Sequence, residues 1–166
     1  MSTRLSHFRT LLWLAPLILV FDQVTKVYVD RTFFLHESVT ILENFFHFTY
    51  VRNQGAAFGI LSDSAYRLPF FIIVSLVAVI GIVWYYSKLT PQQKLLRYAL
   101  ALILSGAIGN LIDRIRLGEV IDFIDVHWYQ YHWPAFNIAD SAISIGVTLL
   151  LIDLWREEKQ RKRKVP

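Results

Sequence analysis

The stretch FNIADSAISIGVTLLLIDLW, residues 136–155, ends in a run apolar enough for a lipid bilayer but begins with an amide and a carboxylic acid. Its polar residues recur at spacings of three and four, so in an α-helix they form one stripe. They are Asn137, Asp140, Ser141, Ser144 and Thr148. A carboxylate in the hydrocarbon core costs about 3 kcal/mol. The stretch therefore predicts a membrane helix whose polar stripe faces other helices.

The composition of the whole chain is that of a membrane protein. Of its 166 residues, 55% are hydrophobic and 15% aromatic, only 18% are charged, and the mean hydropathy is +0.42. An average soluble domain has about 25% charged residues. The chain contains no cysteine, which excludes disulfides, thiol nucleophiles and thiolate metal sites. Any chemistry must come from carboxylates, amides, hydroxyls, histidines or the backbone.

Four apolar segments are long enough to cross a hydrocarbon core, which requires about 20 helical residues. They cover roughly residues 11–29, 68–86, 95–112 and 138–155. Arg4 and Arg9 precede the first segment, as in a secretory signal, but no small-x-small cleavage site follows it. We therefore interpret it as a retained helix. We expect one membrane domain, residues 1–166, with a basic cytoplasmic tail over 156–166.

The distribution of basic residues predicts the orientation. Eleven of the 17 Lys and Arg residues lie before the first span, in the loop 87–97 and in the tail 156–164. The other loops and adjoining helix ends hold the remaining six, together with ten of the 13 acids. Basic loops tend to stay in the cytoplasm. We therefore expect both termini in the cytoplasm, the loops 30–67 and 113–137 outside, and the tail against anionic lipid head groups rather than nucleic acid.

The outer loops carry strand signals. Residues 38–51 are rich in β-branched and aromatic side chains with partial alternation around Glu43 and Asn44, which predicts a hairpin. Residues 118–133 are similar and end in aromatic residues, which prefer the membrane interface. We expect this outer layer to lie on the bilayer surface.

Asp22 and Lys26 lie within the first predicted span. Their i, i+4 spacing places them on one face of a helix, where their charges neutralise each other. We interpret them as an inward-facing ion pair that fixes packing.

Small and polar residues recur at spacings of three and four on the third predicted helix. They are Gly106, Gly109, Asn110 and Asp113. This pattern predicts a groove of small residues that leads outward to an amide and an acid. In a simpler interpretation the glycines only allow close helix packing, and Asp113 pairs with Arg114 or Arg116. That interpretation explains the glycines better than it explains Asn110.

Asp140 is either a helix cap or a chemical group. Asn137 and Asp140 can each accept the unpaired N–H groups of a helix start, and one cap does not need both. Asp122 and Asp125 are three apart in an extended stretch, so at most one faces the same pocket as Asp140. Two adjacent carboxyl groups share one proton and hold a water molecule, as in aspartyl hydrolysis. The spacing alone leaves both interpretations open.

Other chemistries have weaker support. Ser141 and Ser144 have no evident basic partner, and helix serines usually bond back to the backbone. His127 and His132 could bind a metal with Glu119 or Asp125, but the pattern is more typical of interfacial side chains. A small transporter or proton relay would also bury acids, although four spans without repeat symmetry fit it poorly. A non-enzymatic scaffold leaves the surplus acids unexplained.

Five motifs together resemble the lipoprotein signal peptidase family, signal peptidase II. They are FDQVTK (21–26), VRNQGAAFGIL (51–61), SGAIGNLIDR (105–114), VIDFIDVHW (120–128) and FNIADSAISIG (136–146). The motifs occur in the family's order, and the resemblance extends from about residue 11 to residue 155. A single motif would be modest evidence, whereas five in order are specific.

The resemblance implies a multi-pass aspartic endopeptidase of the bacterial inner membrane, with its site toward the outer face. It implies a mainly α-helical fold of four transmembrane helices, with an outer β-cradle and a short interfacial helix in residues 30–67 and in the stretch before Asp140. It implies Asp122 and Asp140 as the catalytic pair. The resemblance also assigns binding or supporting roles to Asn53, Gly55, Asn110, Arg114, Asn137, Asp113, Asp22 and Lys26.

The implied substrates are prolipoproteins whose signal peptide is cut before a cysteine that carries a diacylglyceryl group. Membrane lipids and globomycin-type inhibitors are further implied partners, and the protein is expected to be a monomer. No cofactor and no metal are expected.

Overall fold

A helix bundle carries a small sheet at one end in the computed structural model, which describes residues 2–55 and 66–164. The elements are α1 (Ser2–Thr32), β1 (Ser38–Leu42), β2 (Phe46–Asn53), α2 (Arg67–Tyr86), α3 (Lys94–Leu117), β3 (Val120–Trp128), β4 (Tyr131–His132) and α4 (Ile138–Lys164).

All four helices are long and apolar enough to cross a membrane. Each contains one of the predicted spans. Helix α4 continues to Lys164, through most of the predicted tail. The reason is local, because residues 156–164 are mostly Lys, Arg, Glu and Gln, which are good helix formers, with no Gly or Pro among them.

Helix α3 lies at the centre and contacts α1, α2 and α4. Of the residues in its most apolar stretch, 67% are buried, whereas the corresponding stretch of α2 has no buried residue. Small residues allow the close packing. A Cβ on Gly109 would lie 2.6 Å from Asp22 Oδ2 and 3.2 Å from Ala139 Cβ. The glycines therefore let α1 and α4 approach α3, as the packing interpretation predicts.

The four strands form an antiparallel sheet in the order β1-β2-β3-β4. The predicted hairpin is confirmed, with Asn44 in the left-handed region (φ 58°) at the turn between β1 and β2. Gly118, with φ 76°, ends α3 and allows the chain to turn directly into β3. The sheet packs on the bundle through Tyr50, Ile121 and Val29.

The expected short interfacial helix is not found among the described residues. The chain between β4 and α4 has no helical turn, and Phe136 forms an isolated bridge with Ile124 of β3. This bridge fixes the segment before α4 against the sheet. Residues 56–65, which include part of the motif 51–61, lie outside the described residues.

Candidate active site

Helix α4 begins with a reciprocal pair of capping hydrogen bonds. The backbone N–H of Asp140 donates to Asn137 Oδ1 (2.9 Å), and the N–H of Asn137 donates to Asp140 Oδ2 (3.3 Å). This capping box satisfies N–H groups that have no partner within the helix. The N–H of Ala139 donates to Asp22 Oδ1 on α1 (2.8 Å). Asn137 and Asp140, predicted as alternative caps, therefore both take part.

Strand β3 carries Asp122 to the same place. Its side chain is 1% exposed, and both of its oxygens accept hydrogen bonds from amides. Oδ1 accepts from Asn137 Nδ2 (2.7 Å) and Oδ2 from Asn53 Nδ2 (2.9 Å). Asn53 is available because β2 and β3 are adjacent antiparallel strands, in which Asn53 pairs with Val120. The sheet register therefore determines which amide reaches Asp122.

Asn110 of α3 links Asp140 to this arrangement. Its Nδ2 donates to Asp140 Oδ1 (2.7 Å), and its Oδ1 accepts from Asn137 Nδ2 (3.2 Å). Asn137, which is fully buried, in turn donates to Asp122. Two amide side chains therefore connect the carboxyl groups of Asp122 and Asp140, which answers why Asn110 lies within a membrane helix.

The position of Asp122 changes its acidity. Burial and, second to it, the negative charge of Asp140 raise the pKa of its carboxyl group from 3.8 to about 7, against the opposing effect of the hydrogen bonds from Asn53 and Asn137. Burial disfavours the charged form, and a neighbouring carboxylate does the same. Asp122 therefore retains its proton up to about neutral pH.

Lys26 lies at the centre of a buried charge cluster beneath the two carboxyl groups. Its Nζ lies 3.0 Å from Asp22 Oδ2 and 2.9 Å from Asp113 Oδ2. It also donates to Asn110 Oδ1 (3.0 Å). The predicted pair of Asp22 and Lys26 is present, but the alternative in which Asp113 pairs with Arg114 or Arg116 is wrong. Asp113 faces the bundle interior, where Lys26 is the nearer cation.

Gln23 belongs to the same cluster, and no role was predicted for it. Its Nε2 donates to Asp22 Oδ2 and to Asp113 Oδ1, both at 3.1 Å. It also donates to the Gly109 carbonyl (3.3 Å). The sequence signal that could have identified Gln23 is an amide within an apolar span, directly after Asp22.

Arg114 lies at the edge of the site. Its Nη2 donates to the Gly55 carbonyl (3.3 Å), and its guanidinium lies over the Phe71 ring at 4.8 Å. The Gly55 N–H donates to Asn53 Oδ1 (3.0 Å). Arg114 therefore connects α3 to the loop after β2 and, through Asn53, to Asp122.

A groove of about 760 Å³ leads away from these polar groups between the helices. Asn53, Asn110, Arg114 and Asp140 line its polar end. Its other walls are mainly apolar and include Val74, Ala78, Ile103 and Ile145. Asp122 is not among the described residues that line the groove, although Asn53 joins it to the wall. This lining suits a ligand that is polar at one end and apolar along the rest of its length.

Asp125 lies apart from the site. Its oxygens lie 2.9 Å from His132 Nδ1 and 3.8 Å from His47 Nδ1. Glu119 was the other acid predicted as a possible metal ligand beside His127 and His132. Its Oε1 accepts a hydrogen bond from Gln54 Nε2 (2.5 Å). Across residues 2–55 and 66–164, no group of three or more His, Asp or Glu is arranged to hold a metal ion.

The helix hydroxyl groups bond locally, as predicted for helix serines. Ser141 Oγ donates to the Asn137 carbonyl (2.9 Å), and Thr148 Oγ1 donates to the Ser144 carbonyl (2.8 Å). A hydroxyl that donates its proton to a backbone carbonyl is not activated by a general base, which a serine nucleophile requires. The carboxyl pair is therefore the better chemical candidate.

The family model described as Signal peptidase (SPase) II matches residues 14–156. The chain belongs to the signal peptidase II family. It is therefore a peptidase and, with four helices apolar enough to span the bilayer, a multi-pass membrane protein. The matched residues include most of the first membrane span, the whole sheet, and both Asp122 and Asp140.

Curated relatives of the signal peptidase II chain cover nearly its whole length. The lipoprotein signal peptidase of Syntrophotalea carbinolica is 56% identical over 93% of this chain and 96% of its own. That of Geobacter sulfurreducens is 59% identical over 86% and 89%. A bacterial membrane enzyme determined by the in meso method at 2.3 Å is 37% identical, with a TM-score of 0.84 over 95% of this chain and 94% of its own. The curated relatives therefore agree with the family model, and the solved membrane enzyme shares the fold.

Proposed function

We propose that the chain is an aspartyl endopeptidase that removes the signal peptide from diacylglyceryl-modified prolipoproteins, cutting just before the lipidated cysteine. The whole chain, 1–166, would form this one domain. The observation that carries the proposal is a pair of carboxyl groups, the buried Asp122 and the partly exposed Asp140, joined by two amides at the polar end of a groove. The relatives named lipoprotein signal peptidase support the choice of substrate.

The proposed chemistry is general acid–base catalysis without a covalent intermediate. Asp122, whose pKa is about 7, holds the proton at rest, and Asp140, which lines the groove, is the ionised base. Asp140 takes a proton from a water molecule as the oxygen of that water attacks the scissile carbonyl carbon. Asp122 gives its proton to the carbonyl oxygen. The proton on Asp140 then passes to the nitrogen of the leaving group as the C–N bond breaks. The carbonyl reforms and returns a proton to Asp122.

Asn53 and Arg114, which line the groove, are proposed to position the peptide and stabilise the oxyanion, and the fully buried Asn137 is proposed to hold Asp122 in place. Asn53 and Asn137 donate to Asp122, and Arg114 holds the loop at Gly55. Fixed donors that point at developing charge in a water-poor site have large effects on rate. Asp22, Lys26 and Asp113 are proposed to support the site, because they tie α1 to α3 and to the start of α4.

The groove suits a substrate that is itself embedded in the membrane. A signal peptide is an apolar helix, and the diacylglyceryl chains lie in the same leaflet as the cleavage point. Both would enter along the apolar walls of the groove, while the scissile bond alone reaches the polar end at Asp140. Globomycin-type inhibitors are proposed to occupy the same groove.

The proposed setting is the bacterial inner membrane, with both termini cytoplasmic and the carboxyl pair toward the outer face. Its support is the clustering of basic residues at the other end of the helices. We propose that the protein works as a monomer. Membrane lipids would contact its exposed apolar helix surfaces and its basic tail.

The test is cleavage by the purified protein of a synthetic precursor peptide that carries a diacylglyceryl cysteine. We expect a single cut immediately before that cysteine, and no cut in the same peptide without lipid. Mass spectrometry of the products identifies the bond. A cut at another bond, or equal turnover of both peptides, would contradict the proposed substrate class.

A further inference from the structure

A second cavity, of about 290 Å³, lies at the end of the bundle opposite to the carboxyl pair. Its walls include Arg9 of α1 and Lys94, Arg97 and Tyr98 of α3. At a rise of about 1.5 Å per residue, Arg97 is about 20 Å along α3 from Asn110. The cavity is therefore separate from the candidate active site.

The cavity is strongly basic. Three cationic side chains from two helices surround it, and none of the described residues that line it is acidic. Arg97 is only 7% exposed, so its charge is largely removed from water. A cleft lined by charges of one sign concentrates their electric field and attracts ions of the opposite sign. The first turn of α3, which begins at Lys94, adds N–H groups that favour an anion.

Aromatic side chains indicate that the cavity lies at the depth of lipid head groups. Trp84 and Trp155 are exposed by 63% and 60%, and each carries a lysine over its ring. Exposed Trp beside Lys is typical of the membrane interface. Trp155 is about 22 Å along α4 from Asp140, close to the roughly 20 Å that separate Arg97 from Asn110 on α3. The basic cavity and the interfacial Trp are therefore level.

The surface beside the cavity continues into lipid. Trp13 follows Arg9 at i, i+4, on the same face of α1, and is 48% exposed. Tyr98, which lines the cavity, is 41% exposed. The acyl chains of a lipid whose anionic group is held by the three cations would therefore lie along these exposed side chains. A free ion would use only the cationic part.

We propose that this cavity binds the phosphate group of an anionic phospholipid from the leaflet opposite to the carboxyl pair. Arg9, Lys94 and Arg97 hold the phosphate oxygens, and the Tyr98 ring and the Trp13 face contact the glycerol and acyl chains. The proposal concerns a defined lipid site and is independent of the peptidase mechanism.

The test compares two double variants that each remove two positive charges. Arg9→Gln with Lys94→Gln alters the cavity, and both residues are exposed, so the fold is expected to remain intact. Lys159→Gln with Lys162→Gln is the control. It removes the same number of charges at the same end of the bundle, but from α4 and outside the cavity. Equal melting temperatures of all three proteins in pure phosphatidylcholine nanodiscs would verify folding.

The measurement is the apparent Kd for phosphatidylglycerol by native mass spectrometry, with phosphatidylglycerol titrated into phosphatidylcholine nanodiscs. We expect the cavity variant to bind at least about tenfold more weakly than the unaltered protein, and the control variant less than about threefold more weakly. Equal weakening in both variants would overturn the site. If inorganic phosphate or glycerol phosphate binds at the cavity and phosphatidylglycerol does not, the lipid assignment is overturned.

Discussion

The carboxyl group of Asp140 makes hydrogen bonds in two directions. One oxygen accepts from the N–H of Asn137 and completes the capping box, and the other accepts from Asn110 across the helix interface. The residue therefore starts a membrane helix because a helix start holds its carboxylate at a fixed height, beside Asp122. The cap and the contact with Asn110 are compatible, since each uses a different oxygen.

At the scale of single residues, the first prediction concerns the carboxyl pair. Asp122→Asn and Asp140→Asn are nearly isosteric and keep an acceptor oxygen, so we expect folded protein that still binds lipidated precursor. Neither variant can pass the proton, so cleavage should slow by at least about a thousandfold, a barrier increase of about 4 kcal/mol. The measurement is turnover of the lipidated peptide at matched concentrations of folded protein.

Asp125→Asn is the internal control for this prediction. Asp125 lies in the same strand but pairs with His132, so the variant should keep substantial activity. The double variant of Asp122 and Asp140 should be scarcely slower than either single variant, because the pair acts as a unit. Near-normal cleavage by Asp140→Asn would leave that residue with the role of a cap alone.

The second prediction concerns pH. The pKa of Asp122 is raised from 3.8 to about 7, so its protonated form is favoured in the folded protein below about pH 7 and lost above it. If Asp122 is the acid, kcat/KM should fall as pH rises through about 7. Asn53→Leu removes a hydrogen bond that lowers this pKa, so the fall should move to higher pH. A rise of kcat/KM with pH near 7 would instead make Asp122 the base.

At the scale of elements, the close approach of α1, α3 and α4 depends on Gly109. We expect Gly109→Ala to lower the melting temperature by at least about 3 °C, because its Cβ would lie 2.6 Å from Asp22 Oδ2 and force the helices apart. Cleavage should fall as well, since Asp22 holds the N–H of Ala139 at the start of α4.

Gly81→Ala is the matched control on α2. A Cβ there meets nothing within 4 Å, and Ala is a better helix former than Gly by about 1 kcal/mol. Its melting temperature should therefore be unchanged or higher. Scanning calorimetry of both variants in one detergent checks the pair, and equal melting temperatures would refute the packing argument.

At the scale of the whole molecule, the clustering of basic residues leads to a prediction of orientation. Because the chain has no cysteine, single substitutions report position without background. Tyr131→Cys, in β4, should react with an impermeant thiol reagent in intact cells, and Gln92→Cys, between α2 and α3, should react only after the cells are opened. Labelling of Gln92→Cys in sealed cells would reverse the proposed topology.

The sequence by itself determined the membrane class, the four helices, the first hairpin and the family. These depend on composition and on neighbours a few residues apart, because a span needs only continuous apolar residues and a hairpin only alternation around a turn. The same local rules showed that Asp122 and Asp125, three apart on a strand, lie on opposite faces.

Residue spacing alone left open which of these two acids joins Asp140. The family resemblance implied Asp122, and the contacts that hold it there were decided by the tertiary structure. The tertiary structure also placed Lys26 between Asp22 and Asp113 and joined the carboxyl groups through Asn110 and Asn137. These contacts connect residues that are distant along the chain. Their geometry follows from how closely α1 and α4 pack on α3 and from the register of β2 on β3, which no local pattern of residues specifies.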